Sequence, residues 1–125
     1  EITTRLVGSE MCIRDRLEAA LEQKADCLLC GDVEIAYEVM RELRNRHILV
    51  PHDLRVASLY DSSMLASITP SVSAVQYDAE QLGRTACRML LDRLLGKEVV
   101  QRQIEGYQVI LRESTKWNSR THDGR

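Results

Sequence analysis

The chain has 125 residues, the length of one domain, and 44% of them are hydrophobic and 29% charged, as in a globular protein. The formal net charge of −2 gives no basic footprint for nucleic acid. No apolar run approaches the roughly 20 residues of a membrane span. Four cysteines form no dense disulfide framework, which favours a reducing, cytoplasmic compartment.

The first 16 residues look foreign to the rest of the chain. Written back as codons, residues 10–16 give GAG ATG TGT ATA AGA GAC AG, the mosaic end of a transposon adaptor used for sequencing libraries. We therefore predict that residues 1–16 are not native and that Cys12 has no function. On this interpretation the gene-derived sequence begins near Leu17. The alternative is that residues 10–16 are the charged start of a helix.

Apolar periodicity predicts the first elements. Helical spacing of Leu17, Ala20 and Leu21 predicts a helix over residues 17–24. The apolar run 25–30 predicts a strand covered on both faces, as in a parallel sheet. One apolar stripe along residues 34–46 predicts an amphipathic helix.

The second half of the chain continues the alternation. We predict strands over 54–59 and 72–75, with a short helical turn over 63–68 between them. Asp78 and Gln81 have capping-box spacing and predict a helix over 79–95, which Gly96 ends. Residues 101–106 and 107–111 read as extended, and 116–125 form a polar tail. Strands alternating with helices predict an α/β fold.

The pair Cys27-x-x-Cys30 is the one pattern that suggests thiol chemistry or half a zinc site. Residues three apart on a strand point to opposite faces, so the two sulfurs should diverge. A redox pair normally opens a helix, where the dipole lowers the thiol pKa. We therefore interpret both cysteines as small buried hydrophobes and predict no metal and no cofactor. A thiol-redox protein using Cys27 and Cys30 remains an alternative.

Several segments together resemble one family. Residues 50–63, 69–75, 78–83 and 111–115 match, in order and at family spacing, the effector-binding domain of the lactose-repressor/galactose-repressor (LacI/GalR) transcription factors. The resemblance covers residues 17–115. It implies a partial type I periplasmic-binding-protein-like fold, a mostly parallel sheet flanked by helices, with its N-terminal portion missing. Residues 111–115 match the closing strand of the family.

The resemblance also implies ligand-binding residues. Asp32 takes the place of an effector-contacting Asn in a family turn that usually reads Gly/Ala-Asn-Asp, although it is equally placed to cap a helix. Tyr60 and Asp61 take the places of the two aspartates in a loop that commonly reads Gly-Phe/Tyr-Asp-Asp. Tyr60 could stack on a sugar or be a solvated loop residue, and Asp61 could order the loop. Tyr77 could replace the large aromatic residue that sugar-responsive relatives carry at the position of Ala79.

These features predict a binding protein rather than an enzyme. The resemblance implies the effector-sensing and dimerisation part of a transcriptional regulator. A sugar or related small metabolite would bind between two lobes, and a homodimer would contact DNA through an N-terminal helix-turn-helix absent here. The helix over 34–46 resembles one that packs across the repressor dimer. The alternative is a sugar solute-binding protein of a transport system, which shares the two-lobed fold.

Overall fold

The computed structural model describes residues 10–100 and 106–116. The chain divides into two compact units, the first up to Gln76 and again from Val109, the second from Tyr77 to Gln108. The elements in chain order are α1 (Glu10–Glu22), β1 (Cys27–Cys30), α2 (Val33–Asn45), β2 (Arg55–Ser58), α3 (Ser63–Ser67), β3 (Ser73–Tyr77), α4 (Ala79–Leu94), β4 (Tyr107–Ile110) and a 3-10 turn at Glu113–Thr115.

The four strands form one sheet in the order β1-β2-β3-β4. β1 and β2 run parallel with Cys30 opposite Ser58, and β2 and β3 run parallel with Ser58 opposite Ala74. Parallel neighbours joined through helices are what the alternating pattern predicted. The α/β prediction, with a mostly parallel sheet, is therefore confirmed.

Helix α2 forms because its sequence supplies both an N-cap residue and an apolar stripe that can be buried. The Asp32 side chain accepts a hydrogen bond from the Glu34 backbone N–H at 2.7 Å, which caps the first turn. Ala36, Val39 and Leu43 are buried along one stripe, at intervals of three and four residues. The helix predicted over 34–46 is confirmed, displaced by one residue.

The core of the first unit lies between the sheet and helices α1 and α2. Its fully buried apolar side chains are Leu17, Leu43, Leu54, Leu65, Val39, Val56 and Val72. Ile13 of α1 joins the same core at 7% exposure, because α1 begins at Glu10 rather than at the predicted residue 17. The foreign origin of residues 1–16 stays a prediction, although residues 10–16 continue the helix.

Strand β1 is covered on one face, so the prediction of cover on both faces is wrong. Leu28 and Cys30 are buried, whereas Cys27 is exposed and Leu29 is half-buried. The two buried side chains share the face against which α2 packs, and the other face carries no comparable cover among the described residues. The sequence could not distinguish the two, because a run of four apolar residues is compatible with a strand covered on one face or on both.

The second unit is built on α4. The Asp78 side chain accepts a hydrogen bond from the Gln81 backbone N–H at 2.9 Å, and Gly96 follows the helix with φ of +77°, so both predicted end signals are confirmed. No residue of α4 is buried, and its apolar side chains at Leu90 and Leu94 are 60% and 74% exposed. Residues 101–105 and 117–125, predicted as extended and as tail, lie outside the described part.

We predict that Leu43→Ala lowers the free energy of unfolding by about 2–5 kcal/mol, because it leaves a cavity beneath α2. Leu49→Ala is the matched control, because Leu49 is 61% exposed whereas Leu43 is 1% exposed. The measurement is urea unfolding followed by circular dichroism. Equal losses for the two variants would contradict this description of the core.

Candidate functional site

Two exposed residues follow the carboxyl ends of β1 and β2. The ladder continues one step past the strands, because the Leu59 N–H donates to the Cys30 carbonyl at 2.9 Å. Asp32 and Tyr60 each lie two residues beyond the paired positions Cys30 and Ser58. Adjacent strands are about 4.8 Å apart, so the register starts the loops that carry these residues at neighbouring points of the sheet edge. Two of the four predicted ligand residues thus lie in the loops that follow adjacent strands.

Asp32 has a structural role at this edge that leaves part of its carboxylate available. Its Oδ1 accepts the Glu34 N–H at the start of α2, which confirms the predicted cap. The residue is nevertheless exposed, and the cap fixes the side chain in one orientation. A negative charge is therefore held beside the positive end of the helix dipole.

Tyr60 is held through its backbone and exposes its ring. The buried Ser58 hydroxyl donates to the Tyr60 carbonyl at 2.7 Å, and the Tyr60 N–H donates back to the same hydroxyl at 3.2 Å. The Tyr60 residue is 53% exposed. Our sequence reasoning missed this role of Ser58. The signal that could have found it is a polar residue at the last buried position of an apolar strand.

Asp61 lies next in the loop, and its carboxylate is engaged by protein groups. Arg112 donates to both of its oxygens, at 2.7 and 2.9 Å, and the Ser62 N–H donates to Oδ1 at 2.8 Å. These hydrogen bonds, led by that of Arg112, hold the pKa of Asp61 below its usual value although desolvation opposes them. This geometry suits the loop-ordering interpretation of Asp61, and a direct ligand contact stays a prediction.

The segment that supplies Arg112 is not the predicted closing strand. Strand β4 ends at Ile110, and Glu113–Thr115 form a 3-10 turn, so the strand predicted through residue 115 is wrong there. The reason lies in the side chains, which bond to neighbouring strands and loops. Arg112 Nη1, for example, also donates to the Val72 carbonyl at 2.8 Å.

Serine hydroxyls complete this closing network. The buried Ser114 hydroxyl donates to the Val56 carbonyl of β2 at 2.6 Å and accepts the Ser73 N–H of β3 at 2.9 Å. Glu113 accepts from the Ser71 N–H and hydroxyl at 2.8 and 3.0 Å, and these bonds lower the pKa of Glu113. The 3-10 turn is therefore fastened by side chains to two parallel strands and to the loop before β3.

The fourth predicted residue is Tyr77. It is the last residue of β3, is 46% exposed, and belongs to the second unit. Ala79 stands where the resemblance implies an aromatic residue that Tyr77 would replace, and it is the exposed first residue of α4. The role of Tyr77 as an effector contact stays a prediction.

The cysteine pair lacks the features of a redox site. Burial raises the pKa of Cys30 to about 12, and desolvation followed by the charge of Asp26 raises the pKa of Cys27. A catalytic thiol needs the opposite shift. The two residues alternate between buried and exposed faces of β1, so the buried interpretation holds for Cys30 and is wrong for Cys27. Within residues 10–100 and 106–116, no three His, Cys, Asp or Glu side chains are grouped as metal ligands.

Comparison with known proteins identifies the family to which the chain is related. Residues 3–115 match the family of periplasmic binding protein-like domains. The HTH-type transcriptional regulator GalR of Streptococcus thermophilus is 29% identical over 92 residues, 73% of this chain and 28% of that protein. A PurR family transcriptional regulator from Vibrio parahaemolyticus RIMD 2210633 has a TM-score of 0.74 at 28% identity, over 94% of this chain and 43% of that one. A LacI family transcriptional regulator from Arthrobacter sp. FB24, solved with lactose, has a TM-score of 0.68 at 25% identity, over 86% and 43% of the two chains.

The chain belongs to the family of periplasmic binding protein-like domains. Within that family it corresponds to part of the effector-binding domain of LacI-type transcriptional regulators, as the sequence motifs predicted. It spans less than half the length of each of these three relatives. The relatives are regulators, not enzymes, in agreement with the predicted lack of catalysis. Among the described residues, no helix has the length and apolar character needed to cross a membrane.

We predict that Arg112→Gln lowers the free energy of unfolding by about 1.5–3 kcal/mol, because it leaves the Asp61 carboxylate largely buried without its cation. Arg84→Gln is the control, because the Arg84–Glu80 pair is exposed and should contribute less than about 0.5 kcal/mol. Urea unfolding measures both. A double-mutant cycle with Asp61→Asn should show coupling, and strictly additive losses would disprove the pairing.

The Asp61–Arg112 ion pair should also make the free energy of unfolding depend on pH. Because the folded-state pKa of Asp61 lies below its ordinary value of about 3.9, the pair contributes fully above that pH, and its contribution is lost as pH falls through the folded pKa. We expect wild type and Asp61→Asn to differ in urea midpoint near neutral pH and to converge well below about pH 3.9. A difference that persists unchanged in acid would contradict the assignment.

Proposed function

We propose that this chain forms one wall of the effector site of a LacI/GalR-type transcriptional regulator, and that a small molecule bound there changes the affinity for operator DNA. The observation that supports this most directly is the register of β1 and β2. It starts the loops that carry Asp32 and Tyr60 at the carboxyl ends of adjacent parallel strands. Open α/β sheets bind ligands at this edge, and the resemblance assigns effector contacts to both positions.

We propose a sugar or related small metabolite as the effector. A carboxylate accepts hydrogen bonds from hydroxyl groups, and an exposed aromatic ring packs against the apolar face of a sugar. Asp32 and Tyr60 supply one of each at neighbouring positions. The lactose bound to the Arthrobacter relative supports the same ligand class.

Asp61 and Tyr77 take different parts in this proposal. Asp61 acts as a positioning residue, because its carboxylate already binds Arg112 and the Ser62 N–H and so fixes the loop that carries Tyr60. Tyr77 is kept as an effector contact on the strength of the resemblance alone.

The wider context of the regulator is also part of the proposal. Helix α2 carries Tyr37 at 37% exposure, and the resemblance places this helix across a homodimer. A helix-turn-helix outside this chain would bind the operator, and the regulator would act in the cytoplasm. Effector and operator would then be coupled through a two-state change in the domain.

The test uses the complete reading frame that contains this chain. The purified protein selects its operator from a random-sequence DNA pool, and a panel of sugars is then added while DNA binding is followed by fluorescence anisotropy. We expect at least one sugar to change operator affinity. Tyr60→Ala should raise the sugar concentration needed by roughly tenfold, since it removes a stacked ring.

His52→Ala is the control, because His52 is exposed and precedes β2 at the opposite end of that strand. It should retain the wild-type response to the sugar. A protein that binds sugar but selects no DNA would instead be a solute-binding receptor. A Tyr60→Ala response equal to that of wild type would remove Tyr60 from the site.

A further inference from the structure

We infer that the effector of this protein is uncharged or cationic, and that Asp32 makes the site select against anionic metabolites such as sugar acids. This inference rests on the proposed function and narrows its ligand class. It follows from where charge lies along the edge formed by the loops after β1 and β2.

The first step concerns the start of α2. A helix N-terminus ordinarily attracts anions, because its first N–H groups are unpaired and its dipole is positive there. Here the Asp32 carboxylate accepts the Glu34 N–H at 2.7 Å, and Glu34 adds a second carboxylate in the first turn. Asn, the usual family residue at position 32, would cap the helix without charge. An anion approaching this edge therefore meets negative charge rather than a favourable helix end.

The second step concerns the available cations. The loop residues 31–34 and 59–62 contain no Lys, Arg or His. A guanidinium does reach the second loop, that of Arg112, but it donates to both oxygens of Asp61 at 2.7 and 2.9 Å and also to the Val72 carbonyl at 2.8 Å. Its charge is paired with that of Asp61, and its Nη1 and Nη2 atoms donate to protein oxygens. The net charge of these described loops is therefore negative.

The third step concerns what the edge recognises. The Asp32 carboxylate is acceptor-only, so it binds hydroxyl, amino or ammonium groups of a ligand. Tyr60 adds a neutral aromatic ring at 53% exposure. Such a pair fits a polyhydroxylated ring or its amino derivative, and it repels a carboxylate or phosphate placed at the same position.

The size of this selection follows from Coulomb's law. Two like charges about 5 Å apart repel enough to weaken binding by roughly fourfold at the dielectric of water and by more than about a hundredfold at that of a protein surface. The penalty should shrink as salt is added, because exposed charges are screened.

The experiment uses the complete regulator and three matched probes that share one ring, namely galactose, galactosamine and galacturonate, together with the corresponding glucose set. Isothermal titration gives each dissociation constant at low and high salt. We expect wild type to bind the neutral or amino sugar at least about fourfold more tightly than the acid of the same ring. Asp32→Asn should narrow that ratio several-fold, and folding should survive because Asn caps helices as well as Asp.

Glu22→Gln is the matched control, because it removes one exposed carboxylate from the end of α1 and should leave the ratio unchanged. An acid that binds as tightly as its neutral counterpart, or a ratio unaffected by Asp32→Asn, would overturn the inference while the proposed function stands. If no probe binds or alters operator affinity, the proposal of a sugar effector is wrong, and this inference is wrong with it.

Discussion

The bidentate ion pair between Arg112 and Asp61 is the contact on which the candidate site depends. It joins residues 51 positions apart, and both side chains are largely shielded from solvent, at 17% and 11% exposure. The loop after β2 contains no regular backbone pairing beyond Leu59, so side chains must hold it. Arg112 holds the loop through its hydrogen bonds to Asp61, and the Ser58 hydroxyl holds the backbone of Tyr60. The exposed ring is thereby presented on an ordered backbone.

The same edge of the sheet combines folding and recognition in a few residues. Asp32 caps α2 and Ser62 caps α3, its hydroxyl accepting the Leu65 N–H at 3.2 Å. The connections that follow β1 and β2 are short, so nearly every residue in them must start a helix, pair across the sheet or face solvent. Asp32 does two of these things at once. A substitution that keeps the cap, such as Asn, is therefore the one that separates its chemical role from its structural role.

Periodicity predicted most of the helices and strands, and long-range side-chain hydrogen bonds explain the error in the closing segment. Helix α2 and the cap at Asp78 could be predicted because their signals lie within a few residues of one another. The 3-10 turn at Glu113–Thr115 could not, because its hydroxyl and carboxylate partners lie about forty or more residues earlier in the chain. Arg112 was noticed only as part of a motif for the same reason. Within the site, the resemblance supplied Asp32 and Tyr60, which lie in the loops after adjacent strands, whereas Tyr77 falls in a separate unit.

The two departures from the family pattern have one joint consequence. The resemblance implies Asn after β1 and Asp after β2, where this chain has Asp32 and Tyr60. On that comparison, the number of carboxylates at these two positions is unchanged, but the charge has moved by one strand. The spacing of neighbouring strands makes that displacement about 4.8 Å, comparable to the width of a sugar ring. At its new position the carboxylate is stabilised by the dipole of α2, and the vacated position offers an aromatic face instead. A ligand that places its hydrogen-bond donors for the usual pattern would have to turn or shift by that distance to satisfy this one. The fold is thus shared with its relatives, whereas under the proposed function these two residues set the arrangement of donors that the site selects in an effector.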